Sequence, residues 1–217
     1  MKKIAVILSG CGNRDGSEIQ ETMSVLLAIN RMGMQYVCFA PEMNFEAVDY
    51  LSGLKTKEER NVLTESARMV RGQVKALNLY KAEDFDALVF PGGMGAALNL
   101  SDFGTKGEDM EVNVEIRKAI ERTYELHKPI AAICIAPVIL AKVLGKNGIC
   151  LTFGKECEAS KVAEKLGARH IKSGATEVVV DRKHKILTTP AYMVAENISQ
   201  IFEGGNNIIK ELKTFLD

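Results

Sequence analysis

The chain has no tryptophan, three histidines in 217 residues and no excess of charge of either sign. Lys+Arg and Asp+Glu each total 28, so the formal net charge is zero. That argues against a nucleic-acid or anionic-membrane partner, which would need a basic excess or a local basic stripe. The basic residues are scattered and interleaved with acids, as in Lys57-Glu-Glu-Arg60. No apolar run reaches transmembrane length. The start, Met1-Lys-Lys followed by Ile4 to Leu8, is too short for a signal peptide, and Ser9-Gly-Cys-Gly12 reads as a turn. His127, His170 and His184 show no HxxxH or HxH spacing, which speaks against a metal site. The cysteines are Cys11, Cys38, Cys134, Cys150 and Cys157, an odd count without CxxC spacing. Free thiols of this kind fit a reducing, cytoplasmic setting.

What is present is an alternation of apolar strands and helical patterns. It predicts an α/β fold with a largely parallel sheet covered on both faces. The length suits one domain over 1–217, with an insertion at about residues 42–80 that is too short for a core of its own. Strands are expected at Lys3 to Leu8, Gln35 to Ala40, Asp86 to Phe90, Ile130 to Ile133 and Ile149 to Phe153. Thr176 to Val180 and Lys185 to Thr188 read as an antiparallel pair. Ser17-Glu-Ile-Gln20 and Thr56-Lys-Glu-Glu59 have the form of capping boxes, the second opening a helix through about Val70. A last helix from Val194 to Phe215 contains Gly204-Gly205, where it is expected to break or bend.

The chemistry gathers at the carboxyl ends of the strands, where open parallel sheets bind ligands. Lys128-Pro-Ile-Ala-Ala-Ile-Cys-Ile-Ala-Pro137 delivers Cys134 at a sharp strand-to-helix turn, the geometry that presents a nucleophile. The following helix N-terminus is expected to lower the thiol pKa. The alternative, a small buried hydrophobe, stays open on this stretch alone. Pro91-Gly-Gly93 can turn backbone N–H groups towards a substrate and, with the N–H of Ile135, form an oxyanion hole. Glu18 opens the first helix at the same edge and can serve as an acid beside the thiol. Cys11 and Tyr192 fall at the possible site edge. No histidine is placed next to Cys134.

Pro91-Gly-Gly-Met-Gly-Ala-Ala-Leu-Asn-Leu100, Ala131-Ala-Ile-Cys-Ile-Ala-Pro137 and Glu18 together resemble the DJ-1/PfpI superfamily, of flavodoxin-like, class I glutamine-amidotransferase fold. Ile7-Leu-Ser-Gly-Cys-Gly12, Asp15-Gly-Ser-Glu18, Cys38-Phe-Ala-Pro41, Arg60-Asn-Val-Leu63 and Thr188-Thr-Pro-Ala-Tyr-Met193 are similar to its ElbB branch, named for enhanced lycopene biosynthesis or as sigma cross-reacting protein. The resemblance covers about residues 3–200.

It implies Cys134 as nucleophile, Glu18 as its hydrogen-bonded acid partner, and the N–H groups of Gly93 and Ile135 as oxyanion donors. It also implies glyoxalase III-like lyase activity without a cofactor, converting a small 2-oxoaldehyde such as glyoxal to the 2-hydroxy acid, and a homodimer. The alternative is a non-catalytic reactive-thiol sensor or accessory protein linked to isoprenoid biosynthesis. Ile135 stands where peptidase-like members and many glyoxalases of the superfamily place histidine, and no His-x-Glu pair follows. Both departures argue against proteolysis and glutaminase activity and leave the general base unassigned.

Overall fold

In the computed structural model, which describes residues 1–216, a seven-stranded sheet runs through the molecule. Its central strands are β1 (Lys3–Ile7), β6 (Ala87–Phe90) and β7 (Ile130–Ile133). β6 and β7 are buried at every position and β1 at all but its first. Continuous Val/Ile/Ala/Leu runs of this kind suit a strand covered on both faces, where alternation would put a polar side chain into a core. β2 (Gln35–Ala40) and β5 (Val74–Ala76) extend the sheet on one side. On the other side β11 (Ile186–Thr189) pairs parallel with β7, and β10 (Val179–Asp181) closes the edge antiparallel to β11. The spatial order is therefore β10-β11-β7-β6-β1-β2-β5.

Helices cover the sheet: α1 (Ile19–Arg31), α2 (Val62–Met69), α3 (Met94–Leu98), α4 (Phe103–Lys106), α5 (Val114–Glu125), α6 (Pro137–Leu144), α7 (Glu158–Lys165) and α8 (Ile198–Lys213). The result is the flavodoxin-like α/β architecture expected from the sequence. The chain leaves β1 towards β2 on one side and reaches β6 on the other, so a crevice opens beyond the carboxyl ends of β1 and β6. Lys128 fixes the entry to β7, its Nζ donating to the carbonyls of Ala82 at 2.8 Å and Phe85 at 2.6 Å, just before β6.

Four local expectations are corrected. Residues 55–61 form a strand, β4 (Lys55–Asn61), antiparallel to β3 (Asn44–Val48), and not the start of a helix. Cross-strand pairing outweighs the capping-box pattern at Thr56, and α2 instead begins at Asn61, whose side chain accepts from the N–H of Thr64. At α1 the N-cap is Glu18 and not Ser17. Ser17 turns inward, where its Oγ accepts from the N–H of Ser9 at 2.8 Å. β8 (Cys150–Gly154) is a strand, yet it pairs with β9 (Arg169–Lys172) in a small sheet of its own. It is tied to the main sheet through side chains, with the N–H of Thr152 donating to Thr188 Oγ1 at 2.9 Å.

The fourth correction concerns Gly204-Gly205, which does not break α8; the helix runs on to Lys213. Gly205 serves close packing of α8 on α1 instead. A Cβ on Gly205 would lie 2.1 Å from Ser24 Oγ and 2.7 Å from Ser24 Cβ on α1. Gly205→Ala is therefore expected to lower stability by about 1–3 kcal/mol, despite alanine's better helix propensity. A urea midpoint equal to or above that of the parent would contradict this packing argument.

Candidate functional site

The crevice beyond β1, β6 and β7 is a cavity of about 520 Å³. Cys134 lies at its base, with φ of 62°, between the last residue of β7 and Pro137, the first residue of α6. A non-glycine residue held at positive φ is strained, and the strand-to-helix elbow is where such strain presents a nucleophile. The N–H of Cys134 donates to the carbonyl of Thr189 at 2.9 Å, which locks the elbow to the end of β11. The backbone N–H groups of Gly93 and Ile135, both expected as oxyanion donors, lie near the Cys134 thiol and act to lower its pKa.

The carboxyl group in contact with that sulfur belongs to Glu21 and not to Glu18. Glu21 is fully buried on α1, and its carboxyl lies beside the Cys134 side chain. Its Oε2 accepts from the N–H of Gly92 at 3.1 Å and its Oε1 from the N–H of Tyr192 at 3.3 Å. Glycine at 92 is what permits this approach, because a Cβ there would sit 2.4 Å from both Cys134 Cβ and Glu21 Oε2. Glu18, expected as the acid partner, lies one helical turn earlier. Its Oε2 accepts from the N–H of Glu21 at 2.6 Å, capping α1, while the residue lines the cavity.

Burial sets the protonation of this group. The Glu21 carboxyl is pushed up to about 8, first by burial and then by the charge of Glu18, against its hydrogen bonds from Tyr192, Cys134 and Gly92. Burial also raises the Cys134 thiol well above the ordinary thiol range, with the Glu21 charge adding to it and the Gly93 and Ile135 N–H groups opposing. The expected lowering by the helix N-terminus is thus reversed: desolvation and a neighbouring carboxyl outweigh the dipole. Glu18 is raised more modestly, by burial, against the backbone N–H groups of Glu21, Gln20 and Ile19.

Asn13, Gln20, Met94, Tyr192 and Met193 complete the wall. Tyr192 hydrogen-bonds through its hydroxyl to Gln20 across the cavity mouth. Cys11 does not line the cavity. It is half-buried on the far side of the Gly10–Gly12 turn, its thiol raised by burial and by the charge of Glu65. Cys38 is buried in β2 and pushed up to about 12. None of the histidines lines the cavity, and His184 instead bonds through Nδ1 to the Tyr124 hydroxyl at 2.6 Å. Among the described residues no group of His, Cys, Asp and Glu is arranged to hold a metal ion.

Sequence reasoning passed over Glu21, although a signal was present. Glu21, Val25, Ala28 and Ile29 recur at helical spacing on the buried stripe of α1, which makes Glu21 an acid on a core-facing position. A buried, unpaired carboxyl is costly and marks a functional candidate.

The described residues include no helix long and apolar enough to cross a membrane. The rat protein named ES1 protein homolog, mitochondrial, is 39% identical over 97% of this chain and 82% of its own length. The human glutamine amidotransferase-like class 1 domain-containing protein 3, mitochondrial, is 38% identical over the same shares. A solved structure from Ehrlichia chaffeensis, titled an isoprenoid biosynthesis protein with amidotransferase-like domain, superposes with a TM-score of 0.91 at 32% identity. It covers 98% of this chain and 99% of that one. The DJ-1/PfpI family model matches residues 3–196. With the elbow cysteine and the buried carboxyl in one crevice, the chain belongs to the DJ-1/PfpI family.

Proposed function

We propose that this protein is a cofactor-independent, glyoxalase-like enzyme that converts small 2-oxoaldehydes to 2-hydroxy acids through a hemithioacetal on Cys134. The observation that carries the reading is the buried Glu21 carboxyl beside the elbow Cys134, the two brought together over Gly92, with the N–H groups of Gly93 and Ile135 near the thiol. At neutral pH the pair holds both its protons. Near pH 8 the pair loses one proton, first from Glu21 because the thiol is held higher. Passage of the thiol proton to that carboxylate gives the reactive thiolate beside a protonated Glu21.

With the thiolate formed and Glu21 protonated, sulfur attacks one aldehyde carbon of glyoxal. The carbonyl electron pair moves to oxygen, which takes the Glu21 proton, giving a neutral hemithioacetal and a Glu21 carboxylate. That carboxylate removes the C–H proton of the hemithioacetal carbon, giving an enediolate, and the hydroxyl proton of that carbon passes to the neighbouring oxygen. Glu21 exchanges its proton with solvent and then protonates the neighbouring carbon, which gives a hydroxyacetyl thioester and a Glu21 carboxylate. Water then attacks the thioester; its hydroxyl goes to the acyl carbon, its proton to Glu21, and the thiolate leaves. Glycolate is released with its own proton lost to solvent, and the starting pair is restored.

Conversion of glyoxal in heavy water tests this route. The enediol path places one solvent deuterium on the hydroxymethyl carbon of glycolate, whereas glycolate free of deuterium would rule it out. The fold relatives' amidotransferase names do not extend to this crevice, since Ile135 follows the nucleophile and no histidine lines the cavity. A second reading, a reactive-thiol sensor or an accessory of isoprenoid biosynthesis, draws on the positive-φ elbow that presents Cys134 to the cavity and on the printed title of the Ehrlichia relative. A cytoplasmic location and a homodimer complete the proposal.

A further inference from the structure

The cavity wall is neutral or acidic throughout. Its polar groups are the amides of Asn13 and Gln20, the Tyr192 hydroxyl and the Glu18 carboxylate, and no lysine, arginine or histidine lines it. No cationic side chain in the wall can pair with a carboxylate or phosphate on a ligand, and the Glu18 carboxylate repels one. The Glu18 carboxylate is also held in place, its Oε2 accepting from the Glu21 N–H at 2.6 Å. It is half-buried, so water screens it only in part. At about 520 Å³ the cavity has room beyond a two- or three-carbon dialdehyde.

We propose that Glu18 is a charge selector: it admits uncharged or amine-bearing carbonyl compounds to Cys134, and it excludes 2-oxo acids and phosphorylated aldehydes. The same charge drives out the product, because a 2-hydroxy acid leaves as an anion while its 2-oxoaldehyde precursor enters neutral. Glu18 thereby acts on substrate choice and on product release, and the proton chemistry stays with Glu21. The selection of ligands rests on the reading of Cys134 as the reactive thiol, and the effect on product release rests also on the proposed turnover.

Methanethiosulfonate reagents that differ only in charge test it on the whole chain. Labelling of Cys134 is followed by mass spectrometry of its peptide with neutral methyl, anionic sulfonatoethyl and cationic aminoethyl reagents. Each rate is divided by the reagent's rate with a free thiol. The anionic reagent is expected to lag the cationic one by about tenfold at low salt, the effect of one partly screened charge at close range. Glu18→Gln should bring the two rates within about threefold, and Glu18→Asp should keep much of the discrimination. Any change that Glu18→Gln makes in the thiolate fraction affects all three reagents equally and cancels in the ratio. An anionic reagent as fast as the cationic one in the parent, or a ratio unmoved by Glu18→Gln, overturns the selector. A Cys134 that resists all three reagents overturns the nucleophile reading, and the selector with it.

Discussion

Cys134→Ser is expected to remove formation of the 2-hydroxy acid, by at least about 10³-fold. A serine hydroxyl at this elbow stays protonated at neutral pH, since neither the buried Glu21 carboxyl nor two N–H groups suffices to ionise an alcohol. The substitution is nearly isosteric, and serine can still donate to Glu21, so the fold should persist. Cys11→Ser is the matched comparison, because Cys11 lies off the cavity in the Gly10–Gly12 turn and its loss should leave most of the activity. Retained product formation in Cys134→Ser, measured as glycolate, would remove the nucleophile from its place.

Glu21→Gln is expected to cost about 10²- to 10⁴-fold, the range of a lost general acid–base. The amide cannot take up or release the proton that the thiol, the hemithioacetal and the thioester exchange. It also offers one oxygen where Glu21 uses two, leaving the N–H of Gly92 or of Tyr192 without its acceptor. The pH dependence separates these causes. In the parent, a carboxyl raised to about 8 keeps the pair neutral below that pH, so alkylation of Cys134 should accelerate as pH rises through it.

In Glu21→Gln that inflection should vanish, whereas a loss from disturbed packing alone would leave it in place. Stability gives a second readout with a definite sign. A carboxyl whose folded pKa is raised binds a proton in the native state that the unfolded chain has released. Stability should therefore fall as pH climbs from the usual 4.5 through about 8, and Glu21→Gln should flatten that slope. An unchanged alkylation profile would take Glu21 out of the site.

How much of this was legible in the sequence depended on the kind of information each residue carries. β1, β6 and β7 announce themselves because strands buried on both faces need continuous apolar runs, here short and followed by Ser9-Gly10, Pro91-Gly92 and the Cys134 elbow. The elbow at Cys134 was readable because Pro137 fixes where a helix can begin, immediately after an apolar strand. Capping boxes were poor guides. At Thr56 the pattern sits in a strand, and at Ser17 the hydroxyl serves the N–H of Ser9 while Glu18 caps the helix.

The misplaced acid partner has the same origin. Both Glu18 and Glu21 stand near the start of α1, and only the inward stripe of the helix tells them apart. The raised thiol was beyond local reasoning altogether, because it depends on how completely α1, the Gly92 turn and Tyr192 enclose the sulfur. Gly205 makes the complementary point: a helix-weakening residue stands where Ser24 of α1 needs the space.

Counting product per protein molecule tests the central claim most directly. Purified protein is incubated with excess glyoxal, and glycolate is quantified against active thiol, since loss of aldehyde alone also records reversible adducts. The account predicts glycolate in many-fold excess over Cys134, absent from Cys134→Ser. Aldehyde uptake that stops at one equivalent, with no glycolate released, would contradict it and leave Cys134 as a thiol that reacts once.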